Sequence, residues 1–379
     1  MKKICFIGYG LRSETMMKAF TNIDADIQVS GITDPRAKEI RSKTEGDRRF
    51  SNVHYYENAC EMLDTEKPDG VFIGTRCSLH TPYACEVLKR DIPLFLEKPV
   101  CITEEQYRQL KAAGAGKEKQ VVVSFPLRCS QIVQEMRRIV ESGVLGRIVM
   151  VQSNNNVPYG SVYYHSWYRD PVQTGGLFLQ KTTHDIDFIS YIMGENPDHV
   201  YAQTAKNWFR GDHPAGLHCP DCPEFRTCRE SSYTVERILH EDVQGDACAF
   251  AVDTGNEDMA SAMFTTPGGA IISYNQCFLV KKSAARRGGR FIGTDGSAEF
   301  DFYEGKIRED RYLTAQTVYH QFDKGGQHFG GDDLLAVDFM NVLSGKPALS
   351  DLTAGLNSAA ACLAAKRSAE TGERVKIAY

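Results

Sequence analysis

The stretch that decides the fold is residues 4–12, Ile-Cys-Phe-Ile-Gly-Tyr-Gly-Leu-Arg, in which a short apolar run leads directly into Gly8-Tyr9-Gly10. After a buried strand, the first glycine permits a tight turn and the second lets the backbone approach a pyrophosphate. The helix that follows directs its N-terminus at that anion. We therefore predict that residues 4–12 begin a dinucleotide-binding domain.

Two later positions refine this prediction. Ser13 takes the place of the third glycine of the usual pattern, and it is small enough for close packing of helix and strand. Asp34 ends the second apolar run, where a carboxylate accepts the ribose hydroxyls of NAD, although it could instead cap a helix before Pro35. Because Arg36 lies close enough to receive a 2′-phosphate, NADP stays an alternative to NAD.

Apolar runs alternate with amphipathic stretches as far as residue 124, which is typical of a parallel sheet with crossover helices. Beyond it, strands interrupted by turns predict a large mixed or antiparallel sheet. The predicted class is α/β: a doubly wound Rossmann sheet in residues 1–124 and an α+β substrate and oligomerisation domain in 125–379. The predicted strands are 4–7, 27–32, 71–73, 94–96, 121–123, 148–153, 200–204, 247–252, 260–265, 270–276 and 289–292. The predicted helices are 13–20, 59–63, 81–89, 104–113, 130–142, 332–343 and 352–369.

Composition restricts the possible partners. The 379 residues are 42% apolar and 25% charged with a net charge of -5, which is ordinary for a globular protein of two domains. Without a basic field, nucleic acid and anionic membranes are poor partners, and no run approaches the ~18 to 20 apolar residues that cross a bilayer. Nine of the twelve cysteines are scattered singly, which indicates a reducing, cytoplasmic environment.

The other three cysteines, Cys219, Cys222 and Cys228, are clustered in an insertion at about residues 210–232. Two residues separate the first pair, so two thiolates could grip one tetrahedral ion, and a structural zinc is the first metal to test. Reduced loop cysteines and an iron–sulfur site are the alternatives. The potential fourth ligands nearby are His213, His218 and His240.

Glu97-Lys98-Pro99 follows the run Leu94 to Leu96, at the carboxyl edge of the sheet where ligands of open α/β folds gather. A lysine near the positive nicotinamide of an oxidised cofactor could exchange a proton with a substrate hydroxyl. The alternative is a solvated lysine paired with Glu97.

A second polar stripe lies in the apolar stretch that follows Gly175-Gly176. Gln180, His184, Asp187 and Tyr191 recur at helical spacing and share one face. A buried imidazole and carboxylate must be paired or catalytic, and a hydrogen-bonded core histidine is the alternative to a catalytic one.

In these motifs the chain resembles the Gfo/Idh/MocA family of sugar and cyclitol oxidoreductases. The resemblance implies hydride transfer between nicotinamide and a secondary hydroxyl of a sugar, glycoside or inositol. It further implies that Lys98 holds and helps deprotonate that hydroxyl, with His184 as general acid/base. The motifs that carry it are Gly8-Tyr9-Gly10, Glu97-Lys98-Pro99-Val100, Glu141-Ser142-Gly143-Val144-Leu145-Gly146, the Gly-Gly helix with His184 and Asp187, and Gly293-Thr294-Asp295-Gly296-Ser297.

The chain departs from the family pattern in one place. Many members carry an aspartate one turn before the histidine, whereas this chain has Gln180 followed by Lys181. Lys181 could replace the missing polar partner, supply a second cation, or form an i,i+4 ion pair with Asp185.

The remaining expectations complete the site. The aromatic segment before the Gly-Gly helix either lines a carbohydrate pocket or packs as a core or interface cluster. His328, in a glycine-rich loop, could close over substrate. The predicted cofactor contacts are Gly8, Tyr9, Gly10, Leu11, Arg12, Asp34, Arg36, Thr75, His80, Glu97 and Lys98. The predicted substrate contacts are Lys98, Tyr164, His165, Trp167, Arg169, Lys181, His184, Asp187 and His328.

Three functional hypotheses follow from the resemblance. The first is a dehydrogenase of a small carbohydrate or cyclitol, assembled as a homodimer or homotetramer. The second is an NAD-dependent glycosidase that works by transient oxidation and elimination. The third is a non-catalytic regulator that senses NAD, since a fold alone does not determine function.

Overall fold

The structure is a computed structural model that describes residues 1–323 and 327–379. It divides into two compact units: unit 1 holds Met1–Gln131, the described part of 325–360 and Tyr379, and unit 2 holds Ile132 to residue 323 and Ala361–Ala378. The sequence places a single boundary after residue 124. The structure returns a later segment to unit 1 because the apolar side of a late helix belongs to the core of the first sheet.

Unit 1 is built on a sheet of six parallel strands in the order β3-β2-β1-β4-β5-β6. Every residue of the fourth, fifth and sixth strands is buried, as expected when helices cover both faces. The predicted Rossmann sheet is thus confirmed. Its strands are β1 Lys2–Ile7, β2 Ile27–Thr33, β3 His54–Tyr56, β4 Gly70–Ile73, β5 Leu94–Leu96 and β6 Val121–Val123.

Twelve α-helices are present in the described part of the chain. They are α1 Leu11–Asn22, α2 Ala37–Thr44, α3 Ala59–Glu66, α4 His80–Lys89, α5 Glu104–Ala113, α6 Pro126–Cys129, α7 Gln131–Glu141, α8 Ser161–His165, α9 Pro171–Thr174, α10 Leu177–Met193, α11 Gly331–Val342 and α12 Leu352–Thr371. Phe339 of α11 packs edge-to-face on Phe95 of β5 at 5.6 Å, and Phe95 stacks on Phe72 at 4.6 Å. These contacts make α11 part of the unit 1 core.

Unit 2 contains a nine-stranded sheet in the order β14-β13-β12-β11-β7-β10-β9-β8-β15, with β10 parallel to β7 and the other neighbours antiparallel. Its large mixed sheet confirms the predicted α+β class. Its strands are β7 Ile148–Asn156, β8 His199–Ala205, β9 Met259–Thr265, β10 Ile271–Cys277, β11 Arg286–Gly293, β12 Gly296–Asp301, β13 Lys306–Arg311, β14 Gln316–Gln321 and β15 Val375–Lys376.

One predicted strand is wrong. Residues 247–252 form turns with two isolated bridges, Ala247 to His218 and Ala251 to His213. Cys248 and Ala249 are buried where they line a small cavity together with cysteines of the insertion, so their burial has a source other than a sheet.

Candidate active site

The turn after β1 depends on glycine. Gly8 has φ +80°, and a Cβ there would lie 2.8 Å from the carbonyl oxygen of Gly74. At Gly10 the nearest atom to an added Cβ is Arg36 Nη2, at 3.8 Å, so the backbone is open on that side. Helix α1 begins next without a side-chain cap, and its first N–H groups have no intrahelical acceptor. This cradle fits a dinucleotide pyrophosphate.

Ser13 substitutes for the third glycine without opening the packing. Its buried hydroxyl donates to the carbonyl oxygen of Gly8 at 3.0 Å. A Cβ on Gly74 would lie 2.6 Å from Ser13 Oγ. The lack of a side chain at Gly74, directly after β4, therefore leaves the space that the Ser13 side chain occupies. The departure from the usual motif therefore leaves the turn intact.

Asp34 lies against the glycine turn. Its carboxylate accepts the N–H of Tyr9 at 2.8 Å and that of Arg36 at 2.8 Å, while Arg36 Nη2 donates to the Tyr9 carbonyl at 3.0 Å. Burial favours a raised pKa for Asp34, but these donors outweigh it and hold the pKa below its usual value. Arg36, not Asp34, occupies the N-cap position of α2. Asp34 therefore presents an anion beside the predicted ribose position.

Arg12, predicted to contact the cofactor, forms the centre of an ion-pair cluster inside unit 1. Its guanidinium donates to Glu97 at 2.8 Å and Ser124 at 3.0 Å and pairs with Asp332 at 2.7 Å. Although burial opposes it, the two carboxylates raise the pKa of Arg12. The cluster fixes Glu97, the residue before Lys98, and so positions the end of β5.

His328 belongs to the same cluster. Its Nδ1 lies 3.0 Å from Asp332 Oδ2 and 3.5 Å from Arg12 Nη1. Gly325 and Gly326 of the predicted loop lie outside the described residues. In this structure His328 is therefore a partner of the buried Asp332 within unit 1.

His80 holds the segment that carries Lys98. Its Nδ1 lies 2.8 Å from the Pro99 carbonyl and its Nε2 lies 3.3 Å from the Thr75 carbonyl. Burial lowers the pKa of His80, which favours a neutral ring. Lys98 itself is half-buried, directly after β5, and its peptide bond to Pro99 is cis. Glu97 is paired with Arg12, which weakens the alternative that Lys98 serves only as its surface partner.

Helix α10 carries the second group of candidates, in unit 2. Gly175 and Gly176 have φ +77° and +107°, and the Glu257 carboxylate accepts the Phe178 N–H at 2.5 Å, capping the helix. Fourteen of its seventeen residues are buried, including His184 and Asp187, which are 5% and 2% exposed. The predicted helix and its buried polar stripe are thus observed.

A buried ion pair anchors α10 to the sheet. Asp185, 1% exposed, accepts from Arg287 Nε at 2.8 Å, Tyr274 OH at 2.7 Å and Asn155 Nδ2 at 2.6 Å. Removing one partner of such a pair leaves an uncompensated charge in the core. These donors occupy the carboxylate that was expected as one possible partner of Lys181.

Lys181 is directed elsewhere. Its ammonium donates to Tyr159 OH at 2.6 Å and Tyr163 OH at 2.9 Å, and it is 5% exposed. Burial, aided by nearby Arg287, lowers the pKa of Lys181 well below its usual value. The structure therefore replaces the simple i,i+4 pair with a lysine held by two phenols, one helical turn from His184.

The aromatic segment before α10 is mainly internal. Tyr164 stacks on Phe209 at 3.7 Å and donates to the Glu257 carbonyl at 2.7 Å. The His165 ring nitrogens lie 2.6 and 2.5 Å from the carbonyls of Ala247 and Glu230. These contacts favour the core-cluster interpretation for Tyr164 and His165.

Two further predicted substrate residues follow in this segment. Arg169 is 8% exposed and donates to Asp253 at 2.5 Å and Thr254 Oγ1 at 2.7 Å, so its charge is compensated within unit 2. Trp167 is half-buried and stacks on Tyr168 at 3.9 Å. Of the four aromatic-segment candidates, Trp167 alone keeps a partly exposed face.

The sequence did not identify three residues that position these groups. Glu257 caps α10, Arg287 neutralises Asp185, and Asp332 neutralises Arg12. The sequence carried no signal for Arg287, because it lies before the predicted strand 289–292 and is buried only in the longer strand β11, where an arginine needs an anion.

The described residues contain neither a membrane-crossing helix nor a preformed metal site. No helix in that part of the chain is long and apolar enough to cross a membrane. Within the same residues, no group of three or more His, Cys, Asp or Glu side chains already stands in a metal-holding arrangement.

Comparison with known proteins identifies the family. Residues 2–125 match the oxidoreductase family with an NAD-binding Rossmann fold, and residues 133–299 match the GFO/IDH/MocA C-terminal domain. The chain belongs to the Gfo/Idh/MocA family. As a Gfo/Idh/MocA protein it is an NAD(P)-dependent oxidoreductase with a nucleotide-binding Rossmann domain.

Relatives of this Gfo/Idh/MocA protein match it along most of its length. YteT of Bacillus subtilis, provisionally named an oxidoreductase, is 26% identical and the match covers 96% of this chain and 94% of YteT. The rhizopine catabolism protein MocA of Rhizobium meliloti is 23% identical, over 78% and 90% of the two chains. Levoglucosan dehydrogenase, solved with NADH and levoglucosan, has a TM-score of 0.78 at 16% identity and full coverage of both chains, which shows the shared fold.

Proposed function

We propose that this protein reversibly oxidises a secondary hydroxyl of a sugar, glycoside or inositol, with NAD as the preferred hydride acceptor. The observation that carries the proposal is helix α10, which buries His184, Asp187 and Lys181 among its fourteen buried residues. Buried titratable groups of this kind cost stability and cluster at functional sites. Relatives named inositol 2-dehydrogenase and D-glucoside 3-dehydrogenase support a polyol substrate.

The proposed roles follow from the chemistry of each group. Bound NAD supplies the hydride acceptor for the carbon that bears the hydroxyl. His184 accepts the hydroxyl proton, because a neutral imidazole can act as a base near neutral pH. Lys98, held at the end of β5 by its neighbours Glu97 and Pro99, stabilises the developing oxyanion by its charge.

Unit 1 would hold the cofactor with the groups already described. The N-terminus of α1 and the glycine turn suit the pyrophosphate, and Asp34 suits the ribose hydroxyls. A carboxylate at that place repels a 2′-phosphate, so we expect NAD to bind more tightly than NADP, with Arg36 reducing the difference.

The experiment is a panel of myo-inositol, free aldoses, methyl glycosides and nitrophenyl glycosides, each tested with NAD and with NADP. Formation of the reduced cofactor with a polyol, and no release of nitrophenol, is the expected result. Nitrophenol release without net reduced cofactor would replace the dehydrogenase with a redox-assisted glycosidase. Tight NAD binding without turnover of any compound would favour a regulator.

Variants then test the two proposed catalytic residues. Removing a proton-transfer group typically lowers the rate ~10² to 10⁴-fold, so His184→Ala and Lys98→Ala should each lower kcat/KM by that order. His54→Ala and Lys89→Ala, at exposed positions, are the matched controls and should keep wild-type activity. Wild-type kcat/KM in either catalytic variant would overturn the assigned role.

A further inference from the structure

Four cysteines line one small cavity in unit 2. Three of them, Cys219, Cys222 and Cys228, come from the insertion, and Cys248 joins them from the later segment. All four are free thiols, and the cavity measures about 10 Å³, which is room for about one water-sized sphere. The spacing of the insertion alone supplied three candidate ligands, whereas the fold supplies a fourth.

Local backbone pairing brings Cys248 to this cavity. His218 and Ala247 form an antiparallel bridge, and the Cys219 N–H donates to the Asp246 carbonyl at 2.7 Å. The Cys248 N–H donates to the Leu217 carbonyl at 2.8 Å. This pairing places Cys219 beside Cys248 although 28 residues lie between them in the sequence.

Backbone hydrogen bonds fix the turns that carry the three cysteines of the insertion. The Phe225 N–H donates to the Cys222 carbonyl at 3.0 Å, and the Cys228 N–H donates to the Glu224 carbonyl at 2.8 Å. Within Cys219-Pro-Asp-Cys222, the Cys222 N–H donates to the Cys219 carbonyl at 3.1 Å, which closes the tight turn of a two-residue spacing. The turn from Cys219 to Cys222 provides the spacing at which two cysteines can bind one tetrahedral ion.

The histidines near the cluster have other roles. His218 pairs with Asp246 at 2.7 Å and is half exposed, and His240 is exposed to solvent. His213 lines the cavity with its Nδ1 3.3 Å from Cys248 Sγ, so it can donate a hydrogen bond to that sulfur. Such a donor to a ligand atom is the usual outer partner of a metal site.

We propose that Cys219, Cys222, Cys228 and Cys248 bind one structural Zn²⁺ as a tetrahedral four-thiolate site. The four thiols lose four protons to solvent on binding, and no redox change occurs. Because the side chains do not yet stand in a metal-holding arrangement, the ion draws the sulfurs together by side-chain rotation. The site ties the insertion to the segment that leads to Glu257, the cap of α10.

The first test uses the full-length wild-type protein. We expect one zinc per chain by elemental analysis after growth with zinc, and Co²⁺ should give the strong sulfur-to-metal charge-transfer band of thiolate ligands. Zinc should protect these four thiols from alkylation, mapped by peptide mass, and leave Cys277 reactive. This measurement needs no variant, so a folding defect cannot obscure it.

The second test isolates the new ligand. Cys248→Ser should weaken Co²⁺ binding at least tenfold and dim the charge-transfer band, while Cys277→Ser, a half-buried cysteine outside the cluster, should match wild type. Equal affinity in Cys248→Ser, absence of zinc from the wild type, an iron–sulfur chromophore, or a disulfide within the cluster would each overturn the proposal.

Discussion

The glycine turn of unit 1 and helix α10 of unit 2 are built in opposite ways. The turn depends on backbone conformation within a few residues, with Gly8 at φ +80° and α1 beginning at Leu11. Helix α10 depends on side chains from distant strands and loops, since Arg287 of β11 neutralises its Asp185 and Glu257 accepts the Phe178 N–H at its N-terminus. A local motif can therefore be recognised in sequence, whereas a buried polar network can be located but not completed.

This difference explains which predictions were confirmed. The strands β5 and β6 and the helix α5 match the predicted bounds, because their buried runs and caps are local signals. The strand β3 and the helix α2 were missed, because β3 has one exposed and two half-buried residues and α2 buries only Ile40.

The site followed the same rule. Residues 98 and 184 stand where a strand end and a buried helix were predicted, yet the phenols around Lys181 and the fourth cysteine could not be predicted. Those contacts join residues far apart in sequence. Hydrophobic periodicity reports which face is buried, but it carries no information about which polar groups meet there.

The largest stability effect should come from the network of α10. Asp185→Ala leaves Arg287 buried without its anion, so the free energy of unfolding should fall by about 3 to 5 kcal/mol. Urea denaturation measures it. Glu304→Ala, which breaks an exposed pair with Arg286, should cost less than about 1 kcal/mol. Recovery of stability in the double variant Asp185→Leu/Arg287→Met would confirm that the unpaired charge is the cause. Equal losses of stability in Asp185→Ala and Glu304→Ala would contradict this explanation.

The turn of unit 1 should respond to a single methyl group. Gly8→Ala adds a clash with Gly74 to the strain of a positive φ. The free energy of unfolding should therefore fall by about 2 to 3 kcal/mol, and NAD should bind more weakly. Gly46 has nearly the same φ, +82°, with open space around it, and Gly46→Ala should cost about 1 kcal/mol with NAD affinity unchanged. Similar losses of NAD affinity in both variants would show that the turn has no special role.

A smaller effect should appear in cofactor choice. Asp34→Ala removes the predicted ribose acceptor and frees Arg36, so NAD affinity should fall about tenfold, or ~1.4 kcal/mol, while NADP binds better. Asp47 makes the same i,i+2 pairing with Arg49, so Asp47→Ala is a matched control. Calorimetric titration with both cofactors decides the matter, and an unchanged NAD to NADP ratio would argue against Asp34.

The smallest effect should be the contribution of Asp332 to the pH dependence of the free energy of unfolding. Burial would raise the pKa of Asp332, but the hydrogen bond from His328 and the charge of Arg12 lower it. A lowered pKa stabilises the fold fully above the usual aspartate value of about 3.9, and that contribution disappears as the pH falls through the lowered value. In Asp332→Asn, the free energy of unfolding should therefore decrease about 1 kcal/mol less than in the wild type as the pH is lowered. An acid limb identical to wild type would exclude Asp332 from this dependence.

The most direct test of the proposed chemistry is a double-mutant cycle on kcat/KM with the best polyol from the panel. If Lys98 and His184 handle the same hydroxyl, the Lys98→Ala/His184→Ala double variant should be no slower than about tenfold below the worse single variant. Losses that multiply in full, with each single variant about 10² to 10⁴-fold down, would mean that the two residues act independently and would contradict the account.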